Sequence, residues 1–237
     1  MEKVLVIIPA YNEQDNILET LTALEKSCSN VDYVVINDAS TDKTENLLKE
    51  HNANYISLPI NLGIGGGVQT GYQYALENDY DIAIQMDGDG QHLPEYINEM
   101  ICAINEVKAD IVIGSRFINR EGFQSSASRR IGIRMLSLIA NMLCGCKVKD
   151  VTSGYRAVNR KYIKFFSEEY AQDYPEPEAL VQSTLLGAKI VEIPVIMKER
   201  TYGKSSITFF KSVYYMIKVS LALMLQKISW NTRGKKG

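Results

Sequence analysis

Two carboxylates stand one residue apart in Ile84-Gln85-Met86-Asp87-Gly88-Asp89-Gly90-Gln91-His92. The alternating apolar run from Asp81 to Met86 reads as a buried strand, so the pair falls where that strand ends. Acids this close repel each other unless a cation lies between them. Two hard oxygen ligands, a flexible Gly88 between them and the amide oxygen of Gln91 suit Mg²⁺ or Mn²⁺. Mg²⁺ commonly takes only one or two carboxylates and completes its shell with substrate phosphates. The same residues also suit an Asp-Gly turn between strands. The elements around the pair separate the two readings.

Strand patterns recur at Lys3 to Ile8, Tyr33 to Ile36, Tyr55 to Leu58, Ile82 to Met86 and Ile111 to Ile113. Helical patterns lie between them at Asp15–Ser27, Thr44–His51, Gly66–Glu77 and Pro94–Val107. This alternation predicts an α/β chain with a mostly parallel sheet and helices on both faces. Chemistry in such sheets gathers at the carboxyl ends of the strands. Polar clusters sit at those ends: Pro9 to Glu13, Asp38 to Asp42, Asn61 to Gly67, Asp87 to Gln91, and Ser115-Arg116. One shared ligand cleft is the expectation, with Ser40, Thr41 and Asp42 as candidate helix N-caps. Further on, Ile131 to Cys144 is rich in Ile, Leu and Met, Pro177–Gly187 is helical with Gly187 as its stop, and Lys189 to Met197 reads as a last strand.

With 237 residues, 46% of them apolar and 23% charged, the chain can bury a sizeable core. Cys28, Cys102, Cys144 and Cys146 form no Cys-x-x-Cys pair and read as reduced packing thiols of a cytoplasmic protein. The opening apolar run Val4 to Ile8 is too short for a secretion signal, and no uncharged stretch reaches membrane-spanning length. The net charge of −2 hides an asymmetry: residues 198–237 carry nine Lys/Arg against Glu199 alone, so this tail is +8 and the preceding body −10. An anionic surface is the expected partner of the tail. Nucleic acid fits poorly, because the aromatic platforms of single-strand binders are missing.

Asn61-Leu62-Gly63-Ile64-Gly65-Gly66-Gly67 fails the dinucleotide fingerprint at its last position, and no phosphate-loop lysine motif occurs. It reads either as a tightly packed strand-to-helix turn or as a place where a sugar or phosphate nears the backbone. Taken together, Ile8-Pro9-Ala10-Tyr11-Asn12-Glu13, Asn37-Asp38-Ala39-Ser40-Thr41-Asp42, Asn61-Leu62-Gly63, Asp87-Gly88-Asp89 and Thr152-Ser153-Gly154-Tyr155-Arg156 occur in an order that resembles family 2 glycosyltransferases of the GT-A fold. The branch it is most similar to comprises dolichyl- and undecaprenyl-phosphate sugar synthases, and the resemblance covers roughly residues 3–206.

The resemblance implies a Rossmann-like three-layer α/β/α catalytic domain over 1–206 and a basic amphipathic C-terminal helix and tail over 207–237. It implies that Pro9, Ala10, Tyr11, Glu13 and Asp38 line the nucleotide pocket with Gly63. Asp87, Asp89 and Gln91 would hold Mg²⁺ or Mn²⁺ against the donor diphosphate, and Arg116 and Arg130 would bind an acceptor phosphate. Arg200, Lys204 and Ser205 would belong to a loop that closes over the diphosphate. The implied reaction is inverting, in-line transfer of a sugar from a nucleotide sugar, a UDP-sugar by preference, to a polyprenyl phosphate. Transfer to a glycan hydroxyl is the alternative within enzymes, and a catalytically silent nucleotide-sugar-binding module is a third reading. A hydroxyl acceptor would need a general base, for which Asp150, Glu176 and Glu178 are candidates, whereas a phosphate is already ionised. His92 reads as a packing or supporting residue, and His51 as a surface group at a helix end.

A polyprenyl phosphate lives in a bilayer. Over 204–229, Ile207, Phe210, Tyr214, Ile217, Leu221, Met224 and Ile228 form an apolar stripe, and Lys204, Thr208, Lys211, Tyr215, Lys218, Ala222, Gln226 and Ser229 a separate face. With Trp230 and the Arg233-Lys235-Lys236 tail, this predicts peripheral contact with the inner face of the cell membrane, with Ile131 to Cys144 as a second interfacial segment. Core packing fits the same periodicity. Longer family members carry transmembrane helices, so a small integral membrane partner is a further expectation.

Overall fold

The computed structural model describes residues 2–123, 127–199 and 209–233. Seven strands, β1 (Val4–Ala10), β2 (Asp32–Asn37), β3 (Tyr55–Ser57), β4 (Ile82–Gln85), β5 (Ile111–Ser115), β6 (Arg156–Asn159) and β7 (Ile190–Pro194), form one sheet in the order β3-β2-β1-β4-β6-β5-β7. Every pairing is parallel except those of β6, which runs antiparallel to both β4 and β5. Among the described residues eight α-helices accompany this sheet: α1 (Ile17–Ser27), α2 (Thr44–Glu50), α3 (Gly63–Glu77), α4 (Ile97–Asn105), α5 (Ala127–Cys144), α6 (Arg160–Glu168), α7 (Pro175–Leu185) and α8 (Phe209–Arg233).

The central strands are apolar at successive positions because both sheet faces are covered. In β1, Leu5 and Ile7 point into a core shared with α3, α5, α6, α7 and α8. Val4, Val6 and Ile8 point into another shared with α1, α2 and α4. Each fully buried Leu, Ile or Val contributes about 1.5–3 kcal/mol of transfer free energy. A one-residue slip of β1 would exchange the two sets of side chains, so the register is strongly held. The three-layer α/β/α expectation is met.

Two elements escaped the sequence reading. The short strand β6 and helix α6 occupy residues read only as a motif and its continuation. β6 has four residues and starts on a charged one, Arg156, which is 2% exposed. Its guanidinium donates to the carbonyls of Ser153 (2.7 Å), Val151 (3.1 Å) and Glu176 (2.8 Å), so a cation occupies a core position. α6 is N-capped by Asn159, whose side chain accepts from the Tyr162 N–H at 3.2 Å.

Helix starts also shift. α3 begins at Gly63 rather than Gly66, because both Asp38 oxygens accept its leading amides, Leu62 N–H at 2.7 Å and Gly63 N–H at 2.8 Å. That cap comes from a residue 24 positions away, beyond any local pattern. α7 begins at Pro175 and ends at Leu185, with Gly187 in the left-handed region (φ 80°) as expected of a helix stop. Residues 94–105 divide into a 3₁₀ turn (Pro94–Tyr96) and α4.

Candidate active site

The loops after β1 and β2 are latched to each other. Asn12, itself at φ 55°, accepts at its side-chain oxygen from the Thr41 N–H (2.8 Å), the Asp42 N–H (3.3 Å) and the Thr41 hydroxyl (3.3 Å). In return the Asn12 and Glu13 N–H groups donate to the hydroxyls of Ser40 (3.0 Å) and Thr44 (2.9 Å). The N-cap of α2 is Lys43 rather than one of the three candidates, but Asp42 beside it reaches the first turn. Its Oδ1 accepts from Thr44 N–H (2.9 Å) and Oγ1 (2.6 Å), and its Oδ2 from Gln14 N–H (3.2 Å). Partial burial works against the Asp42 carboxylate, but the bonds from Thr44 and Gln14 outweigh it and hold its pKa below the ordinary value.

A group with a depressed folded pKa stabilises the fold above its unfolded pKa, and that contribution is lost as pH falls through the folded value. Asp42→Ala is therefore expected to melt below the wild type at pH 7, with the difference narrowing once pH drops beneath about 3.9. Thermal melts at pH 7, 5 and 3 check this, and a gap independent of pH would contradict it.

These loops wall a cleft of ≈ 350 Å³ at the carboxyl ends of β1, β2 and β4. Pro9, Ala10, Tyr11, Glu13, Asp38, Gly63, Asp87 and Asp89 all line it, so the expected nucleotide-pocket residues and the acidic pair share one space. Tyr11 stands at the rim, half exposed. Asn61, unassigned in the sequence, lines the cleft too and ties it together: its Nδ2 donates to the Asp38 carbonyl (3.1 Å) while its Oδ1 accepts from Gly63 N–H (3.1 Å). Gly63, at φ 76°, makes the turn into α3, and Gly63 and Gly67 also line the cleft.

Asp87 is placed by groups that carry no charge of their own. Gln85, 1% exposed, donates from Nε2 to Asp87 Oδ1 at 3.3 Å. A Cβ on Gly154 would lie 3.2 and 3.3 Å from the two Asp87 oxygens and 2.9 Å from Gln85 Nε2, so a side chain there would displace the Gln85 amide and crowd this carboxylate. The Asp87 N–H donates to His92 Nδ1 at 3.0 Å, which assigns the His92 proton to Nε2, 3.8 Å from Asp87 Oδ2. The His92 ring is buried and stacks on Tyr155 (4.7 Å between centroids, 9° between planes), whose hydroxyl donates to the Leu93 carbonyl at 2.7 Å. His92 is a supporting residue of the acidic loop, as expected. Gln85 and Tyr155 were missed in that role; the one available signal for Gln85 was a polar residue inside an apolar strand.

The donor set fits a hard divalent cation. Asp89 Oδ1 accepts from Gln91 N–H at 3.1 Å, folding the loop back on itself. Gln91 Nε2 donates to the Lys198 carbonyl at 3.1 Å, and Gln91 is not among the residues that line the cleft. Among the described residues no three His, Cys, Asp or Glu side chains gather as a metal cage. The cleft holds two carboxylates, Asp87 and Asp89, an open set of the kind that substrate oxygens complete.

Arg116 lies at the end of β5, outside the residues lining the cleft. Its guanidinium forms a fork on Asp150, Nε to Oδ2 and Nη2 to Oδ1 at 2.7 Å each, with Nη2 also 3.2 Å from the Thr152 hydroxyl. Burial alone would lower the Arg116 pKa; the Asp150 bonds and charge, with Asp87 adding to them, outweigh it and raise it. Asp150 is fully buried and forms an ion pair with Arg116. Arg130 lies half-buried near the start of α5. Burial raises the carboxyl pKa of Glu176, with Arg156 opposing and Asp87 reinforcing the shift; Glu178 is raised by burial and Asp173. Arg200, Lys204 and Ser205 lie outside the described residues.

The sequence profile of glycosyl transferase family 2 matches residues 5–166. The chain is 30% identical over 215 residues to an undecaprenyl-phosphate mannosyltransferase of Micrococcus luteus, covering 87% of this chain and 88% of that one. It is 27% identical to a polyprenol monophosphomannose synthase of Mycolicibacterium smegmatis (99% and 89% covered). It is 30% identical to a UDP-N-acetylglucosamine–dolichyl-phosphate N-acetylglucosaminyltransferase of Methanococcus voltae (94% and 98% covered). Its fold is shared with the glucosyl-3-phosphoglycerate synthase of Mycobacterium tuberculosis, solved with Mn²⁺, UDP and glucosyl-3-phosphoglycerate, at a TM-score of 0.73, 18% identity and coverage of 95% of this chain and 80% of that one. The protein is a glycosyltransferase of the GT-A fold and belongs to glycosyl transferase family 2.

Proposed function

We propose that this glycosyltransferase moves a sugar from a nucleotide sugar, a UDP-sugar by preference, to a polyprenyl phosphate, with inversion at the sugar carbon. Three of the relatives above are named for transfer to lipid phosphates. The observation that carries the proposal is a succession along the strand ends. The acidic cleft of β1, β2 and β4 is followed by the Arg116 fork at the end of β5, and then by helices whose outer faces are apolar.

The nucleotide would rest against Pro9, Ala10 and Tyr11, with Asp38 and Gly63 at the far wall. Asp87, Asp89 and the Gln91 oxygen would hold Mg²⁺ or Mn²⁺, which when bound neutralises charge on the leaving diphosphate. Arg116 and Arg130 would draw the acceptor phosphate toward the sugar, Arg116 pre-oriented by Asp150. An ionised phosphate needs no base, which agrees with Asp150 being occupied by Arg116. In the closing loop proposed from the sequence, Arg200, Lys204 and Ser205 would cover the diphosphate.

The apolar faces support a lipid acceptor. α8 turns Val219 and Leu223 into the core, and Tyr215 stacks edge-on against Tyr174 at 5.1 Å. Gln226 donates to the Glu178 carbonyl at 3.3 Å. The face expected to be polar thus meets the protein at Tyr215 and Gln226, while Tyr214, Ile217, Leu221, Met224 and Ile228 of the apolar stripe are exposed. On α5, Ile131, Met135, Leu138 and Met142 are likewise exposed. No helix among the described residues is long and apolar enough to cross a membrane. These faces suit peripheral attachment to the inner leaflet, alone or beside a small integral membrane partner.

The test is mass spectrometry of lipid extracts after incubation with Mn²⁺, undecaprenyl phosphate and a mixture of UDP-glucose, UDP-N-acetylglucosamine and GDP-mannose. The expected product is a polyprenyl phosphate one sugar heavier, formed with no acceptor glycan present. Sugar transfer seen only when a glycan is supplied would favour the hydroxyl-acceptor reading.

A further inference from the structure

Glu192 has no part in the chemistry described so far. It lies half-buried on the edge strand β7, in register with Ile113 of β5. Its two oxygens accept two consecutive backbone amides, Lys149 N–H at Oε2 and Asp150 N–H at Oε1, each at 3.0 Å. The same peptide stretch carries the fully buried Asp150 carboxylate that grips Arg116 Nε and Nη2 at 2.7 Å and accepts the Arg116 N–H at 3.2 Å. A chain of charge-assisted hydrogen bonds therefore runs from β7 through the Lys149–Asp150 backbone to the guanidinium at the end of β5.

Residues 145–155 form no helix or strand, so no regular ladder fixes the backbone from which Asp150 projects. An arginine fork is useful only if its carboxylate partner keeps its place and angle, since both N–H bonds must be met at once. A carboxylate on two neighbouring amides supplies that constraint. Behind it, Glu192 lines a second cavity of ≈ 190 Å³ with Cys146, Lys147 and Thr184, so the neighbouring side chains leave open space there.

We propose that Glu192 is a positioning residue for the acceptor side of the reaction, fixing the Lys149–Asp150 backbone so that Asp150 presents Arg116 to the acceptor phosphate. This rests on the reading of Arg116 given above. Glu192→Gln keeps the size of the side chain but sets an NH₂ where one amide now finds an oxygen. It is expected to raise the KM for undecaprenyl phosphate about tenfold, the scale of one hydrogen bond to a charged group. The donor KM and kcat should stay within about twofold, because Glu192 is not among the described residues that line the donor cleft. In an Arg116→Lys background the same substitution should add less than about twofold, since the fork it serves is gone.

The Arg116 Nε–H resonance in ¹⁵N-labelled full-length protein gives a readout independent of turnover: Glu192→Gln should speed its exchange with water. An equal KM effect in both backgrounds, or an unaltered Nε–H resonance, overturns the proposal. Should Arg116→Lys itself leave the acceptor KM unchanged, the acceptor reading of Arg116 fails, while the resonance still decides whether Glu192 positions it. Glu192→Asp carries the same measurements if the Gln variant does not fold.

Discussion

Asp87→Asn is expected to lower kcat for sugar transfer about a thousandfold, equivalent to ~4 kcal/mol of transition-state stabilisation. The substitution keeps the shape that fits against Gly154 and can keep the contact with Gln85 through its side-chain oxygen. It removes one of two neighbouring negative charges from a site whose proposed work is to hold a cation against a diphosphate. The fold should survive: without metal, the variant melts at or slightly above the wild-type temperature because repulsion with Asp89 is relieved. The stabilisation that Mn²⁺ with UDP gives the wild type should be absent. Initial rates and melts with and without Mn²⁺ and UDP test both parts. A variant retaining more than about a tenth of wild-type activity, on the same kinetic scale, would remove Asp87 from the chemistry.

The second large effect concerns stability and function together. Arg116→Leu strands Asp150, which is fully buried, without its counter-charge. Breaking a buried pair from one side costs about 3–5 kcal/mol. At roughly 2–4 °C per kcal/mol for a chain of this size, the melting temperature should fall by about 10 °C. Replacing both partners, Arg116→Leu with Asp150→Leu, should recover much of that loss, because no lone charge is left in the interior. Transfer to undecaprenyl phosphate should stay impaired in both variants. Recovery of activity along with stability in the double variant would mean that the pair is structural and that Arg116 does not contact the acceptor.

The wall of the cleft was legible because its residues come from runs whose types carry information locally. Pro9 to Glu13, Asp38, Gly63 and the Asp87–Asp89 pair each follow an apolar strand pattern, and parallel strands bring their ends to one edge. The residues that support Asp87 were not legible in this way. Gly154 and Tyr155 reach Asp87, Gln85 and His92 because they lead into β6, which inserts antiparallel between β4 and β5. Nothing in a four-residue strand that begins with arginine announces that insertion. The pairing of Asp150 with Arg116 was hidden for a related reason: the two are 34 residues apart in the chain.

The sequence by itself determined the α/β alternation, the edge of the sheet at which polar residues gather, and the acidic pair with its amide neighbour. Each of these is written in periodicity or in the spacing of adjacent residues, which covalent geometry carries directly into space. The tertiary structure decided which side of α8 faces the protein, which carboxylate holds which arginine, and that Asp38 caps a helix on another segment. Those outcomes depend on the packing of elements tens of residues apart. Burial makes unpaired amides and charges costly, and so selects partners that no local pattern names.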